Sequence, residues 1–103
     1  ADPQPLEVGG VGEYKNVAIA ADQGGRLWVA WADRLDNGED VIRVRRSNAA
    51  VTAWEDPITI TPPTGNRLVY DIAISAKGDL DLLARLGDQG SGAVSMWYTQ
   101  VKP

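Results

Sequence analysis

The sequence predicts an all-β chain made of two four-stranded antiparallel units, and three observations predict it. Apolar residues alternate at period two in segment after segment, which puts one set of side chains on each face of a strand. Between the segments stand turn sequences rich in Gly, Asp and Asn, such as Asp22-Gln23-Gly24-Gly25, Asp36-Asn37-Gly38 and Lys77-Gly78-Asp79. The apolar pattern also recurs. Leu6 and Val8 correspond to Ile58 and Ile60, Val17 and Ile19 to Ile72 and Ile74, Leu27 and Val29 to Leu80 and Leu82, and Ile42 and Val44 to Val94 and Met96. The spacing stays near 52 to 55 residues throughout, so the chain reads as one domain of two units, about 5–54 and 57–103.

Each element follows in order. Pro3 and Pro5 block a helix and suit the start of an edge strand, which Leu6-Glu7-Val8 continues. Lys15 to Ala21 is a strand with small apolar residues on both faces, so packing is expected on two sides. Leu27 to Ala32 is the next, with Leu27, Val29 and Trp31 opposite Trp28, Ala30 and Ala32, again covered on both faces. Val41 to Ser47 places Ile42 and Val44 inward and Arg43 and Arg45 outward. The two arginines could grip an anion, but a solvated face that discourages edge pairing is the plainer reading. Pro57 to Thr61 alternates Ile58 and Ile60 against Thr59 and Thr61, one face buried and one wet. A loop from Pro62 to Arg67 leads into the second unit. There Ile72, Ile74 and Ala76 share a face, Leu80, Leu82 and Ala84 line the following strand, and Gly87 to Gly92 form a polar loop. Val94, Met96 and Tyr98 then alternate with Ser95, Trp97 and Thr99 in the last strand. No segment predicts a helix.

Composition removes several functions. The chain has 103 residues with no Cys and no His. Disulfides, thiolate chemistry, Ser-His pairs and the usual zinc sites are therefore excluded. A net charge of −4 argues against nucleic acid, which needs a basic face. No apolar run reaches the length of a membrane-spanning helix. The Asp33–Asp40 loop fails as a calcium loop because Leu35 and Val44 fall where ligands are required. No metal and no cofactor is expected.

The stretch IAADQGGRLWVAWAD, followed by DVIRVRRS and TAW, resembles the repeat of bacterial sialidase-like β-propellers, the Asp-box or BNR repeat. That motif reads Ser-x-Asp-x-Gly-x-Thr-Trp. Ser47 and Trp54 hold its first and last positions, while Ala49, Val51 and Ala53 replace its Asp, Gly and Thr. The resemblance implies two degenerate four-stranded propeller blades. Two blades do not close a propeller, so it also implies ring closure by oligomerisation, most simply a homotrimer of six blades. The outer strand at 5–8 would complete a blade by strand exchange. An immunoglobulin-like β-sandwich is the alternative fold. Exported relatives of this kind point to an extracellular or periplasmic location.

In a blade of this topology one end gathers the functional loops. That end collects Tyr14, Lys15, Asn16, Asp33, Arg34 and Asp36 from the first unit and Arg67, Tyr70, Asp71, Arg85 and Asp88 from the second, with Trp97 as a further stacking surface. Aromatic rings beside carboxylates suit a non-catalytic, lectin-like carbohydrate-binding module repeated around a homo-oligomeric ring. The alternatives are a structural or protein-interaction propeller and a fragment of a sialidase-like glycosidase. The last would need an arginine cluster, a Tyr nucleophile and a carboxylic acid/base drawn from distinct blades. Trp28 and Trp31, flanked by apolar residues, read as packing.

Overall fold

The computed structural model describes residues 15–63 and 67–102, all of them strand, turn or loop. Among the described residues seven strands follow in order: β1 (Lys15–Ala21), β2 (Leu27–Arg34), β3 (Asp40–Arg46), β4 (Ile58–Ile60), β5 (Arg67–Ser75), β6 (Leu80–Asp88) and β7 (Val94–Val101). They form a four-stranded antiparallel meander, β1-β2-β3-β4, and a three-stranded one, β5-β6-β7, with no closed barrel. The expected strand at 5–8 lies outside the described residues.

The two sheets meet face to face. From the first come Trp28, Ala30, Ala32, Ile42 and Val44, with Ala20 and Ile60 packed against them. From the second come Leu80, Leu82, Ala84, Leu86 and Val101, with Ile72, Ile74 and Trp97 alongside. Period-two alternation selects both sets, and the cross-strand pairs Ala30–Val44, Ala32–Ile42 and Ile74–Leu82 bring them into rows. Small residues on β2 let the sheets approach closely, and the Trp28 ring fills the space they leave. Burying a side chain of that size contributes about 3 kcal/mol, so Trp28 is the largest single packing term on this face.

β2 is buried on both faces, as its sequence predicts: Trp28 to Asp33 are all inaccessible. β1 is not. Val17 and Ile19 are 61% and 64% exposed, so the expectation of two packed faces is corrected. Only the alanine face of β1 meets the core, through Ala20. The short edge strand β4 differs too. Ile60 packs on the core but Ile58 is exposed, because β4 pairs with β3 over three residues at the rim of the sheet. β6 runs two residues further than its apolar pattern, to Asp88. Gly87 still pairs, with Leu68 and Val94, so it belongs to the ladder rather than to the loop. Arg67, read as loop, opens β5 opposite Asp88.

β1 and β5 are each interrupted at the same place. The register shifts between Lys15 and Ala18 in β1 and between Val69 and Asp71 in β5. Each shift is a bulge, in which two residues oppose one and the strand turns its side chains to a new direction. Asn16 accommodates its bulge at φ 55°, in the left-handed region that Asn tolerates better than most residues.

Candidate functional site

The bulges stand at the end of the molecule where the loops after β2 and β6 lie side by side. Gln89 donates from its side-chain amide to the Gly38 carbonyl, 2.9 Å away, and ties the two loops together. The sheets are pinned at the same end through one residue, Val69. The Val69 amide N–H donates to Asp40 Oδ2 at 2.9 Å, and the Asn16 side-chain amide donates to the Val69 carbonyl at 2.8 Å. The other Asp40 oxygen accepts from Arg34 Nε at 3.1 Å. The Asp40 side chain is fully buried and uses both oxygens, which keeps its burial tolerable. The sequence flagged Arg34 but not Asp40. The signal was the cross-strand pairing of the two residues, which a single strand's pattern does not reveal.

On the outward face of the second sheet the β5 bulge brings Tyr70 and Asp71 to the same side of β6. Asp71 Oδ2 accepts from Arg85 Nε at 2.6 Å, and the Arg85 guanidinium lies over the Tyr70 ring, 5.2 Å from its centroid. The Tyr70 ring also rests on Gly87: a Cβ at that position would collide with the ring carbons and the hydroxyl. Gly87 is thus required by the close approach of an aromatic ring. Tyr70 remains 37% exposed, and the Arg85–Asp71 pair stands in solvent beside it.

The remaining predicted residues divide. Asp33 Oδ2 accepts from Arg43 Nε at 3.3 Å, and Arg43 also reaches the Thr59 hydroxyl at 2.5 Å, so this outward arginine braces β2, β3 and β4 rather than gripping a ligand. Asp36 is exposed in the turn of the β2–β3 loop. Asp88 shapes its own loop, accepting from the amides of Gly90 at 2.8 Å and Ser91 at 3.2 Å. Trp97 does not join the site. It pairs with Ala84 in mid-strand and packs against the core, because its parity places it on the inward face of β7. Lys15 and Arg67 open β1 and β5 at the loop end, and only their strand positions are described. Tyr14 lies outside the described residues. Among the described residues, no cluster of three or more Asp or Glu is arranged to hold a metal ion, and no helix is long and apolar enough to cross a membrane.

At the opposite end lies a cleft of about 320 Å³ lined by Trp28, Arg46, Glu55, Asp56 and Ile58. Its charges largely satisfy one another. Glu55 accepts from Arg26 and Arg46, each at 2.8 Å, and Arg46 covers the Trp28 ring at 5.3 Å. The Arg46 hydrogen bond holds the Glu55 carboxyl below its ordinary value, and the hydrogen bond from the Trp28 indole does the same for Asp22. Beside the cleft the Ser47–Trp54 turn closes β3. Ser47 Oγ accepts from the Leu27 amide at 2.9 Å and donates to the Asn48 carbonyl at 2.8 Å, while Val51 sits at φ 55°.

Comparison with protein-family models, with curated proteins and with solved structures returns no match. The site must therefore be read from its own chemistry.

Proposed function

We propose that the chain is a non-catalytic binding module of two β-propeller blades, that it takes carbohydrate at its loop end, and that copies of it close a homo-oligomeric ring, most simply a trimer. The observation that carries the ligand class is Tyr70. Its ring lies on Gly87, the Arg85 guanidinium lies over it, and Asp71 pairs with that guanidinium. A sugar presents an apolar C–H face and a rim of hydroxyls, and this cluster offers an aromatic face, carboxylate acceptors and guanidinium donors in one exposed patch. A non-catalytic role is favoured because Asp33, Arg34 and Asp40 are already paired in ways that brace the strands at the loop end.

Two observations support blades over a sandwich. The first is the Ser47–Trp54 turn. Val51, which stands where the Asp-box carries Gly, adopts the positive φ that Gly adopts readily. The second concerns the faces that meet. Ile42 and Val44 look into the sheet interface, whereas Val94 and Met96, their counterparts in the repeat, look outward. Val17 and Ile19 look outward, whereas Ile72 and Ile74 pack inward. Equivalent faces therefore do not meet, as they would in a two-fold sandwich. The front of one unit meets the back of the next, which is the relation between successive propeller blades.

A glycan array probed with the labelled chain tests the ligand class, followed by calorimetric titration of a retained glycan. Tyr70→Ala and Arg85→Ala are each expected to weaken binding about tenfold or more. An array that retains nothing, or a Tyr70→Ala chain that binds as the parent does, contradicts the reading.

A further inference from the structure

The Tyr70 patch is one end of a face that stays open along the second sheet. The inward row of β6 is Leu80, Leu82, Ala84 and Leu86, so Asp81, Leu83 and Arg85 point the other way. Cross-strand pairing sets Met96 beside Arg85 and Tyr98 beside Leu83. Leu83 is 41%, Met96 61% and Tyr98 56% exposed. Single exposed apolar residues are ordinary, but contiguous ones mark interaction surfaces. Tyr98 is held in place. Its hydroxyl donates to Asp81 Oδ1 at 2.6 Å, and the Gln100 side-chain amide donates to the same oxygen at 3.1 Å. Asp81 stands two residues along β6 from the direct partner of Tyr98, so this bond draws the ring diagonally across the sheet. The bond from Tyr98 lowers the Asp81 carboxyl below its ordinary value, and the same bond raises the Tyr98 hydroxyl above its own. The pair therefore stays a carboxylate acceptor and a phenol donor at neutral pH.

Tyr70 comes from β5 and Tyr98 from β7, and both lean over β6, Tyr70 against Gly87 and Tyr98 towards Asp81. Gly87 and Leu83, which mark the two rows, are separated by about 13 Å at the rise of an antiparallel strand. One sugar ring cannot touch both aromatic rings, but a short chain of sugars can. The surface between them suits such a chain. Met96 and Leu83 offer apolar contact, and the solvent-exposed Arg85–Asp71 pair offers donors and acceptors. Asp81 Oδ2 accepts from no donor among the described residues and is left for a ligand hydroxyl. Among the described residues the charges along this stretch are Asp71, Asp81 and Arg85, and that excess of carboxylate disfavours an anionic sugar. We infer that the sugar-binding patch continues along this face from Tyr70 to Tyr98, and that its ligand is an extended, neutral oligosaccharide with equatorial linkages that rests on both rings at once. Chains linked in this way run straight and present the C–H faces of successive rings, which is what two aromatic rings along one strand can receive. The inference rests on the carbohydrate reading of Tyr70 and adds the length, shape and charge of the ligand.

Calorimetric titration with β-1,4-linked oligomers of glucose and of N-acetylglucosamine, from disaccharide to hexasaccharide, tests it. In at least one series affinity is expected to rise about tenfold or more once the chain reaches both rings, and then to level off. Tyr98→Ala is expected to remove that rise and to leave the disaccharide's affinity unchanged, whereas Tyr70→Ala weakens both. Tyr98→Phe keeps the ring and is expected to keep the rise. Tyr98 is more than half exposed, and circular dichroism checks that each variant folds. If Tyr98→Ala binds the hexasaccharide as the parent does while Tyr70→Ala is weakened, the two-ring site fails and the Tyr70 reading stands. If Tyr70→Ala binds every oligomer as the parent does, the Tyr70 reading fails and takes this inference with it. A loss in Tyr98→Phe as large as that in Tyr98→Ala overturns the inference. So do tighter binding of a sialylated oligosaccharide of the same length and a failure of both neutral series to bind. Light scattering is expected to give the same solution mass with and without saturating hexasaccharide. A fall in mass on saturation would assign this face to contact between copies of the chain and overturn the site.

Discussion

Tyr70, Gly87, Asp40 and Val51 each show how one residue type answers a local demand. Gly87, having no Cβ, leaves room for the Tyr70 ring that lies against it. Gly87→Ala is expected to lift the ring and abolish the aromatic platform, reducing glycan affinity to the level of Tyr70→Ala while the far-UV spectrum stays that of a β protein. Asp40 satisfies Arg34 and the Val69 amide from a fully buried position. Asp40→Ala leaves that amide unpaired and is expected to destabilise the chain by about 3 kcal/mol in urea unfolding. Val51 has the opposite character. A β-branched residue at φ 55° is strained by about 1 kcal/mol, and Val51→Gly is expected to recover about that much in spite of the backbone entropy that Gly adds. The roles of Tyr70, Gly87 and Asp40 depend on partners from another strand and are not legible in the sequence. The Val51 position has a local signal, since the Asp-box motif that the turn resembles carries Gly there.

At the scale of elements the period-two pattern is reliable where strands are long. β1 has the bounds its residues predict, and the inward rows of β2, β3 and β6 are those read from alternation. Strand ends are less legible. Asp33 and Arg34 extend β2, and Gly87 and Asp88 extend β6, because cross-strand hydrogen bonds continue past the point where apolar residues stop. The faces of β1 and the side of Trp97 were misread for another reason: alternation tells which residues share a face but not which face meets a neighbour. The turns follow their composition more closely. Asp22 Oδ1 accepts from the amides of Gly24 and Arg26 while Oδ2 accepts from the Trp28 indole at 3.0 Å, so one carboxylate shapes the β1–β2 hairpin and holds the core tryptophan. That indole bond is the first cause of the lowered Asp22 pKa. A depressed carboxylate pKa contributes stability that is present above the unfolded value, about 3.9, and lost as pH falls through the folded value. Thermal unfolding followed by Trp fluorescence is expected to be flat in Asp22's contribution from pH 7 to 5 and to fall below about pH 4. In Asp22→Asn that part of the acid-induced loss should be smaller.

Among the described residues the molecule is a four-stranded and a three-stranded antiparallel sheet sharing one core, with a polar loop end and exposed apolar residues on β1, β6 and β7. The loop end owes its order to the pinning of Val69 between Asp40 and Asn16, so the neighbouring Tyr70 patch is held by both sheets together. The most direct test is the solution mass of the unmodified chain by light scattering on a sizing column. The account predicts a stable species at three times the chain mass of 11.1 kDa, undiminished by dilution near neutral pH. A species at the single-chain mass at every concentration would contradict it.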